Sequence, residues 1–203
     1  MEIRAAVEAR LVAALGQPQG RAAVTFVGAQ PVEILRFGPD RDDVVHYATL
    51  GMSTGPMLDP VDPAPNPAGG PRAELILTIR GRSAAIDTVA RRLAVLAMTP
   101  FIEGVVIRPG AGLDLGEPLW DGAAFTAVLI GAGGALVADL PLDPPAAAIQ
   151  FLSVLPMTPA EAAWKRIHGA DALQQHWLQH DVDLLDPGRR AVPLDRTHPA
   201  VRA

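Results

Sequence analysis

The sequence predicts an α+β domain in which helices pack on a mostly antiparallel, mixed sheet. Three observations lead there. Helical periodicity marks the start, the middle and the end of the 203-residue chain, with clusters of strand-like runs between them. The regular βαβ alternation of a parallel α/β fold is missing. One stretch, Phe151 to Asp171, also spells a strand that hands over to a helix through a chemically specified turn.

That stretch organises the chain. Phe151 to Leu155 is an apolar run, expected to end at Pro156 because proline has no N–H for a sheet ladder. Thr158 can cap a helix, Pro159 suits its first position, and Glu161 completes a capping box three residues after Thr158. Ala160, Ala163, Trp164 and Ile167 recur at helical spacing and predict one buried stripe. Lys165, Arg166 and His168 followed by Gly169 mark the helix end, with cations at its negative pole.

The other elements follow in order. A first helix is expected over residues 5–15, with Ala6, Val7, Leu11, Ala14 and Leu15 on one face and Gly16 ending it. Residues 22–28, 32–37 and 44–51 read as three strands of an antiparallel meander. Leu58 to Pro71 is so dense in Pro, Gly, Asp and Asn that only a surface loop fits it. Residues 72–80 alternate as a long strand. A second helix is expected over 83–98, burying Ile86, Val89, Ala90, Leu93, Leu96 and Ala97, with Pro100 stopping it. Strands at 105–107, 125–130 and 135–140 come next, the last two joined by a glycine turn at 131–134. A final helix spans about 171–180, and an extended Pro/Arg-rich tail follows. The expected organisation is one domain over 1–192 and a tail over 193–203.

Composition narrows the function. Apolar residues make up 49% of the chain and aromatic ones 4%, so the core must be built mainly from Ala, Val, Leu and Ile. The net charge of −5 argues against phosphate-backbone binding, which needs a basic face. With no cysteine, disulfides, thiolate catalysis and thiolate metal sites are excluded. The charged N-terminus lacks the apolar core of a signal peptide, and no run reaches the roughly 18 apolar residues of a membrane span. The expected location is cytoplasmic, with neither membrane nor nucleic acid as partner.

Candidate chemistry is sparse. Gly51-Met52-Ser53-Thr54-Gly55 matches G-x-S-x-G, but a nucleophile elbow needs a helix directly after it, and Pro56 with the Pro-rich loop forbids one. The alternative is a structural turn in which Ser53 bonds backbone. His176 and His180 lie four apart, a spacing that can place two imidazoles on one helix face. A metal would need a third ligand and supporting groups around it. The glycines at 131–134 lack the spacing of a phosphate-binding loop. His46 and Tyr47 are adjacent in a strand and face opposite sides. Trp164 and Trp177 are expected in the core, and Trp120 half exposed at an interface.

Several segments, taken together, resemble the suppressor of fused domain family in its single-domain bacterial form. They are Tyr47 to Ser53, Arg72 to Thr78, Gly116 to Trp120, Leu155 to Glu161 with Trp164, Lys165, His168 to Ala170 and Leu173, and Asp183 with Asp186 to Arg190. Their order and spacing agree with the family across about residues 44–192. The resemblance implies an α+β domain that binds other proteins, without known catalytic residues and without a cofactor or a metal. It further implies an immunity protein that blocks a toxin, or a regulator of another protein, and an acidic chain would suit a basic toxin domain. Met52, Met57 and Trp120, with the segment from Asp59 to Pro71, are the candidate partner-binding residues. The rival readings are a hydrolase acting through Ser53 or a His176/His180 metal site, and an oligomerising module.

Overall fold

The computed structural model of the chain describes residues 2–26, 30–59, 66, 68–81 and 86–194. Its centre is a seven-stranded sheet formed by β1 (Gly20–Val24), β2 (Val32–Phe37), β3 (Val44–Leu50), β4 (Arg72–Arg80), β5 (Gly112–Asp114), β6 (Ala127–Gly133) and β7 (Ile149–Met157). Their order across the sheet is β1-β2-β3-β4-β7-β6-β5. The first four strands form the expected antiparallel meander. β4 and β7 pair in parallel, and β7-β6 and β6-β5 return to antiparallel, so the sheet is mixed as the sequence implies.

Helix α2 (Ile86–Glu103) covers one face, packing Val89, Ala90, Leu93, Leu96 and Ala97 over Val45, Tyr47, Leu75, Leu77, Leu152 and Val154. Two layers share the other face. Helix α1 (Ile3–Leu15) sets Val7 and Leu11 against Leu35, Phe37, Ala48 and Ile76. Helices α3 (Pro159–His168) and α4 (Ala170–Gln179) set Ala162, Leu173 and Trp177 against Ala127, Leu129 and Met157. β7 shows the strand period directly: Leu152 and Val154 face α2, while Phe151 and Met157 face the other way. Among the described residues no helix is long and apolar enough to cross a membrane.

Several expectations are corrected. The strand expected at 22–28 is β1 at Gly20–Val24, and residues 27–29 lie outside the described ones. Residues 105–107 are irregular, and the outer strand is instead β5. Residues 135–140 form no strand; only Leu140 bridges Ile149. The glycines extend β6 through a bulge between Ile130 and Gly133. There a Cβ on Gly133 would lie 2.5 Å from the Phe151 carbonyl oxygen, so only glycine admits that approach.

Both prolines expected to stop an element lie inside one. β7 continues through Pro156 to Met157 because pairing with β4 ends at Val154. Beyond that point β7 has a neighbour on one side only, which removes the demand for the missing N–H. α2 runs past Pro100 to Glu103. The proline is close enough to the helix end that one lost backbone bond is tolerated, and the Phe101 ring lies against Gly55. The expected start of this helix at 83–85 lies outside the described residues.

The capping box of α3 forms as the sequence spells it. Its buried stripe does not. Ala160 and Ala163 are exposed, Trp164 is half-buried, and Ile167 is 79% exposed, while Glu161 and Ala162 point inward. The helix is turned by a polar demand that periodicity does not register.

Candidate functional site

Two buried carboxylates define the polar interior. The first is Glu74, on β4 and fully buried. Its Oε1 accepts from the backbone N–H groups of Gly51 and Ser53, each at 3.0 Å, and from Ser53 Oγ at 2.6 Å. Its Oε2 accepts from Thr49 Oγ1 at 2.6 Å, and that hydroxyl in turn accepts from the Leu75 N–H. Arg72 Nη1 donates to the carbonyls of Ser53 and Thr54 at 2.8 and 2.9 Å. The 3-10 turn over Met52–Thr54 is therefore gripped from both sides. Gly51 enters it at φ 123°, in the region that favours glycine. Burial pushes the Glu74 carboxyl up, and the hydrogen bonds only partly offset that.

This geometry answers the Ser53 question. Ser53 follows a strand, as a nucleophile elbow does, but it is buried and no helix follows it. Its hydroxyl hydrogen is committed to Glu74. His46, the histidine on the preceding strand, sits towards the other end of β3 with Nδ1 against Thr78 Oγ1 at 3.0 Å. Among the described residues no histidine is hydrogen-bonded to Ser53, and the buried Glu74 carboxylate it meets also holds the backbone N–H groups of the turn, so the serine works as a structural turn residue.

The second carboxylate is Glu161, at the start of α3. Its Oε1 meets Arg189 Nη1 at 2.7 Å and Trp177 Nε1 at 3.0 Å. Its Oε2 accepts from the Thr158 N–H at 2.8 Å and from Arg189 Nη2 at 3.1 Å. Arg189 Nη2 also donates to the Pro156 carbonyl at 2.7 Å. The guanidinium lies over the rings of Phe125 and Trp177, 4.9 and 5.4 Å from their centroids. Burial raises the Glu161 carboxyl, but Arg189 and the Thr158 N–H together bring it net below the usual carboxylate range. One carboxylate thus joins the end of β7, both C-terminal helices and the segment 186–194. The pairing with Arg189 is invisible to a local reading, since the two residues are 28 apart in the chain.

The histidines stack instead of chelating. Trp164 lies between His168, with centroids 4.1 Å apart, and His176 at 5.4 Å. His180 follows His176 at 4.3 Å. His176 Nε2 donates to the Pro193 carbonyl at 2.6 Å, and His180 Nδ1 donates to the His176 carbonyl at 2.9 Å. The four-residue spacing does place both rings on one face. Among the described residues, though, no group of three or more His, Asp or Glu side chains is arranged to hold a metal ion.

The candidate partner-binding residues lie in the interior. Met52 and Met57 are buried beside Met98. Trp120 is also buried, which overturns its expected half exposure; its ring packs edge-on against Phe125 at 5.6 Å. Leu58, next to Met57 in the chain, Phe101, whose ring lies against Gly55, and Ile102 are exposed instead. Most of the segment from Asp59 to Pro71 lies outside the described residues.

A seven-stranded mixed sheet with α2 on one face, and α1 and the α3–α4 pair on the other, defines an α+β domain of suppressor-of-fused type. The sequence profile of the Suppressor of fused protein (SUFU) family matches residues 28–190, and the chain belongs to that family. Solved structures share the fold. A SUFU homolog from Neisseria gonorrhoeae is 15% identical, with 95% of this chain and 97% of that one covered at a TM-score of 0.68. A chain of the Sufu–Fu complex is 12% identical, with 94% and 90% covered and a TM-score of 0.65. Drosophila Suppressor of Fused is 12% identical with a TM-score of 0.64, and this chain spans half the length of that one. No curated protein sequence matches this chain.

Proposed function

We propose that this chain is a cytoplasmic, non-enzymatic protein-binding domain that acts by holding another protein, with residues 1–192 as its single domain and 193–203 as a tail. The observation that carries the reading is the shared fold: 94% of this chain aligns with a chain of the Sufu–Fu complex, in which a protein of this family is bound to another protein. The interior supports it. Glu74, Ser53, Glu161 and Arg189 spend their hydrogen bonds on holding loops in place.

In its finer form the proposal is an immunity protein that binds and blocks a toxin, or a regulator that sequesters its target. A net charge of −5 suits a basic partner. We assign one contact surface to Leu58, Phe101 and Ile102, with Met52 and Met57 in the core beneath it; Trp120 packs on Phe125 inside the same core. Truncating Trp120 would cost about 3–5 kcal/mol of stability. Ile102, 67% exposed, is the cleaner probe.

The test is affinity capture with the full chain, read by mass spectrometry, with wild type beside Ile102→Asp. One stoichiometric basic protein, retained by wild type and released by the variant, is the expected result. A wild-type chain that retains no protein from its native host would overturn the reading.

A further inference from the structure

We propose that a second docking surface, on the opposite face of the sheet from α2, accepts a partner segment in which an apolar side chain is flanked by Lys or Arg. It rests on the protein-binding reading and adds the chemistry of what binds.

The surface arises from how the sheet is covered. On the face away from α2, α1 packs over β2 and β3, and α3–α4 pack over β6 and the end of β7. Between these layers His46, Thr78, Ser153 and Leu155 remain half-buried. A groove of about 430 Å³ opens there, lined by Leu155, Gln174, Trp177, Leu178, Val182 and Leu184. Leu178 stands at its edge 77% exposed. A lone exposed leucine is ordinary, but one at the lip of an apolar concavity offers a contact that water does not satisfy.

Charge selects the occupant. Asp181 completes the lining of the groove and is exposed at φ 48°, a conformation that Asp tolerates. The loops beside it carry carboxylates at the same end of the sheet. The Arg80 N–H donates to the Leu185 carbonyl and the Gly81 N–H to the Asp43 carbonyl, which ties the two loops together. Exposed Asp43 and Asp183 therefore stand at the same end of the sheet as the groove, and Arg80 already pairs with Asp183 at 2.5 Å. An apolar floor with an acidic rim favours a basic segment that carries a Leu or Phe anchor and repels an acidic one.

The probe is a synthetic heptapeptide of alternating Arg and Leu, with its Glu/Leu counterpart as control, titrated into the isotope-labelled full chain by NMR. The expected shifts concentrate at Leu155, Leu178, Val182 and Leu184, with the Arg peptide binding and the Glu peptide not. Leu178→Lys, at an exposed helical position, should weaken binding by about tenfold or more. Asp181→Asn keeps the backbone conformation accessible and should flatten the salt dependence. Equal binding of both peptides, shifts scattered over other surfaces, or an unchanged Leu178→Lys chain would each overturn the proposal. Failure of the wider reading looks different: wild type captures no natural partner although the Arg peptide still seats in the groove.

Discussion

At the scale of single residues, the two buried carboxylates titrate in opposite senses. Glu161 is held below the ordinary glutamate value of 4.5, so its contribution is fully present above that value and is lost as pH falls through its folded value. Glu74 is held above 4.5, so its contribution is present at lower pH and is lost as pH rises from 4.5 through the raised value. Glu161→Gln should cost about 3–5 kcal/mol at neutral pH, because Arg189 stays buried beside Phe125 and Trp177 without its counter-charge. Urea denaturation measures this, and a loss below about 1 kcal/mol would refute the clasp role. Glu74→Gln should flatten the stability profile above the ordinary glutamate value of 4.5, since the variant has no raised carboxyl to ionise there. An unchanged slope of the urea midpoint over that range would count against it.

At the scale of elements, Pro100 is the informative position. It lies inside α2 and cannot donate to the Leu96 carbonyl. Pro100→Ala restores that donor, and the gain should exceed the unfolded-state entropy the proline contributed. The expected change is a stabilisation of roughly 1–2 kcal/mol, read as a higher melting temperature. A lower melting temperature would show that the ring itself packs against the loop at Gly55. The first turn of α3 behaves differently. Thr158, Pro159 and Glu161 form the cap that the sequence spells, but Glu161 serves Arg189 as well, so one side chain both starts a helix and fixes its rotation.

At the scale of the whole molecule, the sheet has two faces with different chemistry around them. The α2 face ends at exposed Phe101 and Ile102, and the other face opens a groove beside Asp181. An acidic chain that meets a basic partner should associate faster at low salt, with little salt effect on the dissociation rate. Stopped-flow or surface-binding kinetics at increasing ionic strength checks this. A salt-independent association rate would remove charge as the selecting term, and the basic-toxin form of the proposal with it.

Much of this architecture was legible in the chain by itself. The period-2 runs of β2, β3, β4 and β7, the 3.6-period stripe of α2 and the capping box of α3 are local signals, because each depends on residues a few positions apart. The ordered segments between Tyr47 and Arg190 carried the family. What the chain alone did not decide depends on partners distant in sequence. Pro156 sits in a strand because β4 stops pairing two residues earlier, and α3 faces the core through Glu161 because Arg189 arrives 28 residues later. Trp120 is buried against Phe125, while Ile102 and Leu178 stand exposed. Local propensity and spacing determine which elements form. Which side of each element faces the core is decided when buried charges, ladder ends and ring contacts are satisfied together, and only the tertiary structure holds that information.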